Sequence, residues 1–478
     1  TNENWNYVTN KSKIQRYWEE RVEESKGYSA MYTLGMRGVH DWGISGYPST
    51  QDKVRGLTEI ISFQRSLLEK HIGDPTTVPQ IFIPYKEVLD AYNAGLKVPD
   101  DVTLTWVDDN HGYIRQLPTE TEQLRSGGHG IYYHLSYWGT PADYLWICST
   151  SPSLCSYELV KGYENGIRNL WVINVGDIKP AEAELEFCMD LAWDVEAWQP
   201  EKAHEYSRYW SAKTFGEDVA DELGAIKLEY YRLGAAGKPE HVYGVAYNDK
   251  EMNDRIDSYA SLVSRVEAVK AQIPERLQDA FFQLIEYPVK GAYYMNVKIF
   301  RAKQSLTFSA AGKREEALSA AAEARKAYRM IDEITVKYNT GISGGKWDGM
   351  MDSKPRQQAT FYMPETATMS GISQYELSVP EDRFLTVAAA DFCGSRGNIK
   401  ELKGLGIGES SVAVWPMDYK NYSIRDAETA PYVEYNVPVY AGVNTIEVRF
   451  LPTFPIHSGG EMNVGVAVDG AKPVISSL

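Results

Sequence analysis

Two carboxylates, Asp41 and Glu87, stand shortly after two different apolar runs of the chain. A pair of that kind facing one cavity suits glycosidic hydrolysis, in which one acid protonates the leaving oxygen and one base activates water. The bland alternative is that each caps a following helix, since Glu87 opens a helical pattern and acids favour helix N-termini. Arg37 sits between glycines in GMRG, where close backbone access makes a guanidinium fork for a carboxylate; a structural pair with Asp41 fits the same spacing. Lys86 precedes Glu87 and either orients an anionic substrate or neutralises its neighbour. Asp108, Asp109 and Asn110 follow a third run, and their oxygens could position a sugar or take a hard cation. His134 and Asn174 occupy a fourth and a fifth run. Trp42, Trp106, Tyr137 and Trp138 could stack on sugar rings, although core packing is the commoner use of any one aromatic.

The elements that must hold these groups are legible as short β-rich runs at 32–36, 80–83, 102–107, 130–135 and 169–175. None alternates cleanly, as expected of parallel strands covered on both faces. Helical patterns lie before and between them at 11–25, 53–71, 87–94, 119–125 and 157–165, with another at 181–198. A βαβ series results, and its polar groups gather at the carboxyl ends of the strands, where α/β barrels and open sheets place their sites. Five βα units are three short of an eightfold barrel. The sequence therefore predicts either an open five-stranded sheet or a barrel whose first units precede Thr1. From 201 to 338 the strand signal gives way to long helical patterns, including 252–272 and 310–338, which read as a helical bundle. A Gly-rich connector at 339–364 follows, and then short runs at 384–389, 411–415, 432–437, 444–451 and 463–468 predict a β-sandwich.

Composition narrows the function classes. The 478 residues carry 65 acidic against 49 basic side chains, a formal charge of -16, so no net cationic surface exists for nucleic acid. No run of 18 apolar residues occurs, and thus no membrane span is expected. Tyr (33) and Trp (12) outweigh Phe (13), a bias toward aromatics with a polar handle that suits wet clefts and sugar faces. The four cysteines lack CxxC spacing and read as structural thiols, with a Cys148–Cys155 disulfide as the minor alternative. HExxH, P-loop, GxGxxG and GxSxG motifs are missing near the strands, leaving zinc protease, nucleotide, dinucleotide and α/β-hydrolase readings unsupported.

At GMRGVHD, IPYKEV, VPDDVTLTWVDDNHG and GIYYHLSYWGTPADYLWI, and later at NLWVINVGDIKP, KWDGMM and LPTFP, the sequence resembles glycoside hydrolase family 115, the xylan α-1,2-glucuronidases. The resemblance implies a multidomain α/β plus α plus β protein: the C-terminal part of a (β/α)8 barrel over 1–200, a helical bundle over 201–345 and a β-sandwich over 365–478. It implies inverting removal of glucuronic or 4-O-methylglucuronic acid from glucuronoxylan or its oligosaccharides, without a cofactor or catalytic metal. By this resemblance Glu87 is the general acid and Asp41 the base or water-orienting carboxylate, labels that exchange freely. Arg37 and Lys86 hold the uronate carboxylate, and Asp108, Asn110, His134 and Asn174 bind the sugar. Inversion would set the two carboxylates roughly 6.5 to 9.5 Å apart. The resemblance further implies an extracytoplasmic location and is compatible with a homodimer. Family members carry barrel strands and further acids before the equivalent of Thr1, so a non-catalytic uronate- or xylan-binding protein, or an inactive fragment, stands as the alternative.

Overall fold

The computed structural model describes residues 4–137, 139, 146–368, 385–417, 422, 429–437, 445–456, 458–469 and 471–477, with the side chain of Asp41 outside that set. Five strands, β1 (Tyr32–Leu34), β2 (Gln80–Phe82), β3 (Thr103–Val107), β4 (His129–His134) and β5 (Ile167–Asn174), form one sheet in the order β1-β2-β3-β4-β5. Every pairing is parallel. All three residues of β2 are buried, as are four of five in β3 and five of six in β4, which explains the near-continuous apolar runs. Because consecutive strands are neighbours throughout, every crossover steps the same way, and right-handed connections then set the helices on one face. That is the order of a barrel arc; a doubly wound sheet reverses direction at a switch point.

Helices α1 (Tyr7–Ser25), α2 (Thr50–His71), α3 (Glu87–Asn93), α4 (Pro152–Glu164) and α5 (Glu182–Trp193) accompany the sheet. Ser49 and Asp52 close a capping box at the start of α2, with Asp52 N–H donating to Ser49 Oγ at 3.1 Å and Ser49 N–H to Asp52 Oδ2 at 3.2 Å. Helix α4 begins earlier than its apolar pattern suggests, because Ser151 caps it and Pro152 occupies the first turn. The helix expected at 119–125 is only a 3-10 turn, Glu122–Leu124. Pro118 before it and Gly127-Gly128 after it leave no room for a longer element. Along β1, the cavity of about 550 Å³ is lined by Trp18, Val22, Tyr28, Met31, Leu67 and Leu68 of the edge, α1 and α2.

The bundle consists of α6 (Tyr206–Phe215), α7 (Glu217–Ala235), α8 (Asp249–Lys270), α9 (Gln278–Phe281), α10 (Tyr287–Ala310) and α11 (Arg314–Val336), with a π turn, Phe282–Glu286, joining α9 to α10. Buried Ala317, Ala320, Ala321, Ala324 and Ala327 give α11 a small-residue face for close packing. Sheet and bundle share one continuous apolar core, reaching from Leu34 and Phe82 to Ile299 and Phe300. Polar ties cross the same boundary: Trp146 Nε1 donates to Tyr287 OH at 2.8 Å, and Tyr230 OH to the Cys148 carbonyl at 2.8 Å. Cys148, Cys155 and Cys188 are buried free thiols. The connector is ordered against α10, where the buried Lys298 ammonium donates to the carbonyls of Thr360 (2.9 Å) and Phe361 (3.0 Å).

Beyond it, β6 (Gly394–Arg396) pairs with β9 (Tyr432–Glu434), β7 (Ile399–Lys403) with β8 (Ser410–Val414), and β10 (Asn463–Val466) with β11 (Val474–Ser477), all antiparallel. Among the described residues these are three separate ladders and do not join into the two facing sheets of the expected sandwich. The runs at 411–415, 432–437 and 463–468 coincide with strands; the described parts of 384–389 and 444–451 carry none, and residues 384 and 444 lie outside the described set. This region docks on α4: Trp415 is buried against Tyr157, Leu402 and Leu405 cluster with Leu154, and Ser153 Oγ donates to the Lys403 carbonyl at 2.9 Å. It also grips the chain after β3, with Arg115 over the Phe454 ring at 4.4 Å and Leu117 N–H on the Ile456 carbonyl at 3.1 Å. Among the described residues no helix is long and apolar enough to cross a membrane.

Two stability predictions follow from this packing. Burial pulls the Lys298 ammonium down to about 7 from the ordinary lysine value of 10.5. The unfolded chain therefore holds the extra proton between those values, so stability rises with pH across that window and is lost as pH falls through 7. Denaturant titrations should show wild type gaining on Lys298→Met at about 1.4 kcal/mol per pH unit between pH 7 and 10; parallel pH profiles would refute it. At Gly127 a Cβ would lie 2.5 Å from the Val102 carbonyl carbon and 2.6 Å from Asp101 backbone atoms, which have little freedom to move. Gly127→Ala should cost about 1–3 kcal/mol in chemical denaturation.

Candidate active site

The carboxyl ends of β1 and β2 are joined by one ion pair. Arg37, in the loop after β1, donates from Nε to Glu87 Oε1 at 3.2 Å and from Nη2 to Oε2 at 3.0 Å, a bidentate fork. Ile44 N–H adds a third bond to Oε1 at 3.0 Å. Glu87 is the first residue of α3, yet its carboxylate faces this loop. Of the readings open to Arg37, the described pair is with Glu87; the side chain of Asp41 lies outside the described residues, and its backbone closes the 3-10 turn Val39–Asp41. The loop is drawn tight by Gly38 N–H on the Trp42 carbonyl at 2.9 Å. A Cβ on Gly38 would sit 2.6 Å from the carbonyl oxygens of Trp42 and Gly43, so only glycine fits. Trp5 Nε1 donates to the Arg37 carbonyl at 2.9 Å and anchors the loop from the α1 side.

Lys86 has φ 50° and ψ -122°, a conformation that costs a non-glycine residue about 1–3 kcal/mol and is held only by surrounding contacts. Its Nζ donates to Tyr137 OH at 2.7 Å and lies 5.0 Å from the Tyr85 ring centre. Tyr85 OH is 2.9 Å from Asn110 Oδ1, to which it donates, and 2.8 Å from Tyr137 OH. One phenol has one proton, so the second of these bonds uses the proton of Tyr137. Asn110 adopts φ 71°, the left-handed region that Asn tolerates, and is almost fully buried. The Arg37 guanidinium stacks over the same Tyr85 ring at 4.7 Å, so one tyrosine bridges the ion pair and the amide.

Behind this layer, Asp108 and His134 are both sealed from solvent, with Oδ1 and Nδ1 2.5 Å apart. Asp108 Oδ2 accepts from the N–H groups of Gly112 (3.1 Å) and His134 (3.2 Å), so its carboxylate orients the imidazole and the turn after β3. The imidazole lies 5.1 Å from the Tyr132 and Tyr137 rings. Tyr132 and His134, two apart on β4, share a face, and Asn174 at the end of β5 donates to Tyr132 OH at 3.1 Å. Asp109 accepts from the N–H groups of His111 (2.9 Å) and Tyr113 (3.1 Å); burial pushes its carboxyl up, against those two bonds. His111 meets Lys238 (Nζ to Nδ1 3.5 Å) and the His241 ring at 5.9 Å, bringing the α7–α8 connection to the rim. Among the described residues no three His, Cys, Asp or Glu side chains gather as a metal-ion site requires.

Arg37, Glu87, Lys86 and Asn110 thus come together through Tyr85 and Tyr137, with Asp108 and His134 as an inner support and Asn174 at the flank. Tyr85, Tyr132 and Trp5 escaped the residue-by-residue reading, and Tyr137 entered it only as a stacking candidate. The one available signal was the adjacency Tyr-Lys-Glu directly after a strand. The assembled groups, a guanidinium, an ammonium, phenols, an amide and a carboxylate at neighbouring strand ends, can bind a hydroxylated anion and exchange protons with it.

The glycosyl hydrolase family 115 model matches residues 1–241, and the model of the family's C-terminal domain matches residues 379–478. Among solved structures the chain is similar to a family 115 4-O-methyl-α-glucuronidase with specificity for decorated arabinogalactans, at 37% identity and a TM-score of 0.76. That alignment covers 85% of this chain and 54% of the other, so the chain spans about half the length of that structure. A family 138 enzyme targeting pectin rhamnogalacturonan II aligns at 13% identity and a TM-score of 0.42, over 70% of this chain and 50% of the other. No curated protein matches. The chain belongs to glycoside hydrolase family 115.

Proposed function

We propose that the chain carries the working cleft of an α-glucuronidase that releases glucuronic or 4-O-methylglucuronic acid α-1,2-linked to xylose in glucuronoxylan, with inversion. The observation that carries this reading is the Arg37–Glu87 fork: a guanidinium already holding a carboxylate in two-point geometry at the carboxyl end of the sheet. A uronate carboxylate arriving there competes with Glu87 for Arg37, with the Lys86 ammonium beside it. The displaced Glu87 takes a proton from solvent and delivers it to the leaving oxygen as the glycosidic C–O bond breaks, while Asp41 draws a proton from the water whose oxygen bonds to the anomeric carbon and returns it to solvent after the turnover; the two labels can be exchanged. Asn110, anchored by Tyr85, is the amide nearest the sugar hydroxyls, His134 held by Asp108 backs the Tyr132 and Tyr137 rings from the sealed side rather than meeting the sugar, and Asn174 closes the flank. Decorated arabinogalactan is the second substrate reading, supported by the specificity of the 37%-identical relative.

The same reading extends to architecture. Five parallel strands in sequential order, with an apolar cavity along the β1 edge, support an eight-stranded barrel to which further strands contribute. The domain limits 1–200, 201–345 and 365–478, a C-terminal β-sandwich and an extracytoplasmic location belong to this proposal. Binding without turnover is the competing function.

Release of 4-O-methylglucuronate from glucuronoxylan and from decorated arabinogalactan is the direct assay. Glu87→Gln should lower the rate on the order of 10² to 10⁴-fold, the typical worth of a proton-transferring group. A folded wild type that binds the acid yet releases none from either glycan would favour the binding protein. For the stereochemistry, proton NMR of the first turnovers should show the β-anomer of the freed acid; initial α-anomer would refute inversion.

A further inference from the structure

We propose that Trp42 is a stacking platform for the neutral pyranose to which the uronate is attached. This rests on the glucuronidase reading above and adds a specificity-determining residue to it. Trp42 is 67% exposed, and its indole makes no hydrogen bond or ring contact among the described residues. Its backbone, by contrast, is fixed on both sides: the N–H donates to the Val39 carbonyl at 3.3 Å, and the carbonyl accepts from Gly38 N–H. The next residue, Gly43, lies beside Glu87, where a Cβ would be in ordinary contact with the carboxyl carbon at 3.5 Å, and the residue after it, Ile44, donates to that carboxylate. Consecutive Cα atoms are about 3.8 Å apart. Trp42 is therefore rooted next to the residue that touches the Glu87 carboxylate, in a loop held by its own backbone hydrogen bonds.

Trp193 is more exposed still, at 92%, but it ends α5, a helix that runs back toward the opposite end of the sheet from the strand carboxyl ends, and several other indoles have structural uses. Trp106, Trp146 and Trp415 are core residues, and Trp5 uses its N–H on the Arg37 carbonyl. A rigidly rooted, solvent-facing indole beside a charged binding site is chemically suited to the apolar C–H face of a pyranose. The charged end of the substrate is already matched by Arg37 and Lys86, which leaves the indole for the neutral sugar. A scattered exposed aromatic is common on protein surfaces, and the test must separate that case.

Isothermal titration of the 478-residue chain carrying Glu87→Gln, which slows consumption of a linked acid, does so with Trp42 intact as the wild-type comparison and three probes: free 4-O-methylglucuronate, the same acid α-1,2-linked to xylotriose, and the galactose-linked acid. Trp42→Ala should weaken a linked probe on the order of tenfold, a stacking contribution near 1.4 kcal/mol, and leave the free acid within about twofold. Trp42→Phe should restore most of the loss. Equal weakening of free and linked acid, no weakening of any probe, or failure of Phe to restore binding would each overturn the platform. A wild type that binds the free acid but gains nothing from the attached sugar overturns the platform alone. A wild type that binds no probe overturns the glucuronidase reading with it.

Discussion

The forked pair between Arg37 and Glu87 is the constraint around which this cleft is organised. It ties the loop after β1 to the first turn of α3, two segments fifty residues apart in sequence. Both side chains are about four-fifths withdrawn from water, so each must find a charged partner. The geometry requires a glycine at 38 in the loop and the unusual backbone of Lys86 ahead of α3. Such features persist only where neighbours over-determine them. Here the neighbours are Trp5 on the Arg37 carbonyl, Tyr85 under the guanidinium, and Tyr137 on the Lys86 ammonium.

The rest of the chain stiffens that arrangement from outside. The bundle shares the core of the sheet and reaches the rim through Lys238 and His241, against His111. The C-terminal ladders press on α4 and clasp residues 115–117 through Phe454 and Ile456, just downstream of the Asp108–Asn110 turn. A site built from strand ends and short loops needs this kind of backing, because side chains that bind a sugar must be held by packing rather than by their own loops. The three regions therefore act on the cleft from separate directions while most of their own residues never approach it.

Much of this was legible in the residues. The continuous apolar runs marked parallel strands, and at β2, β3 and β4 burial on both faces is the reason, whereas β5 is parallel with only one of its eight residues buried. Arg37, Lys86, Glu87, Asp108, Asn110, His134 and Asn174, in or just past those runs, were picked out as candidates, and the fold sets them at neighbouring strand ends. Tyr85 and Tyr132 were not, and Tyr137 was read only as a stacking ring, because tyrosines that link polar groups are indistinguishable in sequence from the many that fill cores. The C-terminal region was read less well: alternation over five residues cannot separate a paired strand from an extended loop, so 445–451 looked like β structure and is none.

What the sequence by itself determined was the order of elements, the strand ends that carry chemistry and the family to which its motifs point; each depends on neighbours within a few residues. Partnership was decided only by the tertiary structure. The fold brings Glu87 to the fork of Arg37, because parallel pairing of β1 with β2 sets the two loops side by side. Asp108 reads as a sugar ligand and in the fold is buried behind His134, whose ring it orients, because β3 and β4 align residue against residue across the sheet. Distances between strand ends are products of register and twist, and no local pattern of residue types encodes them.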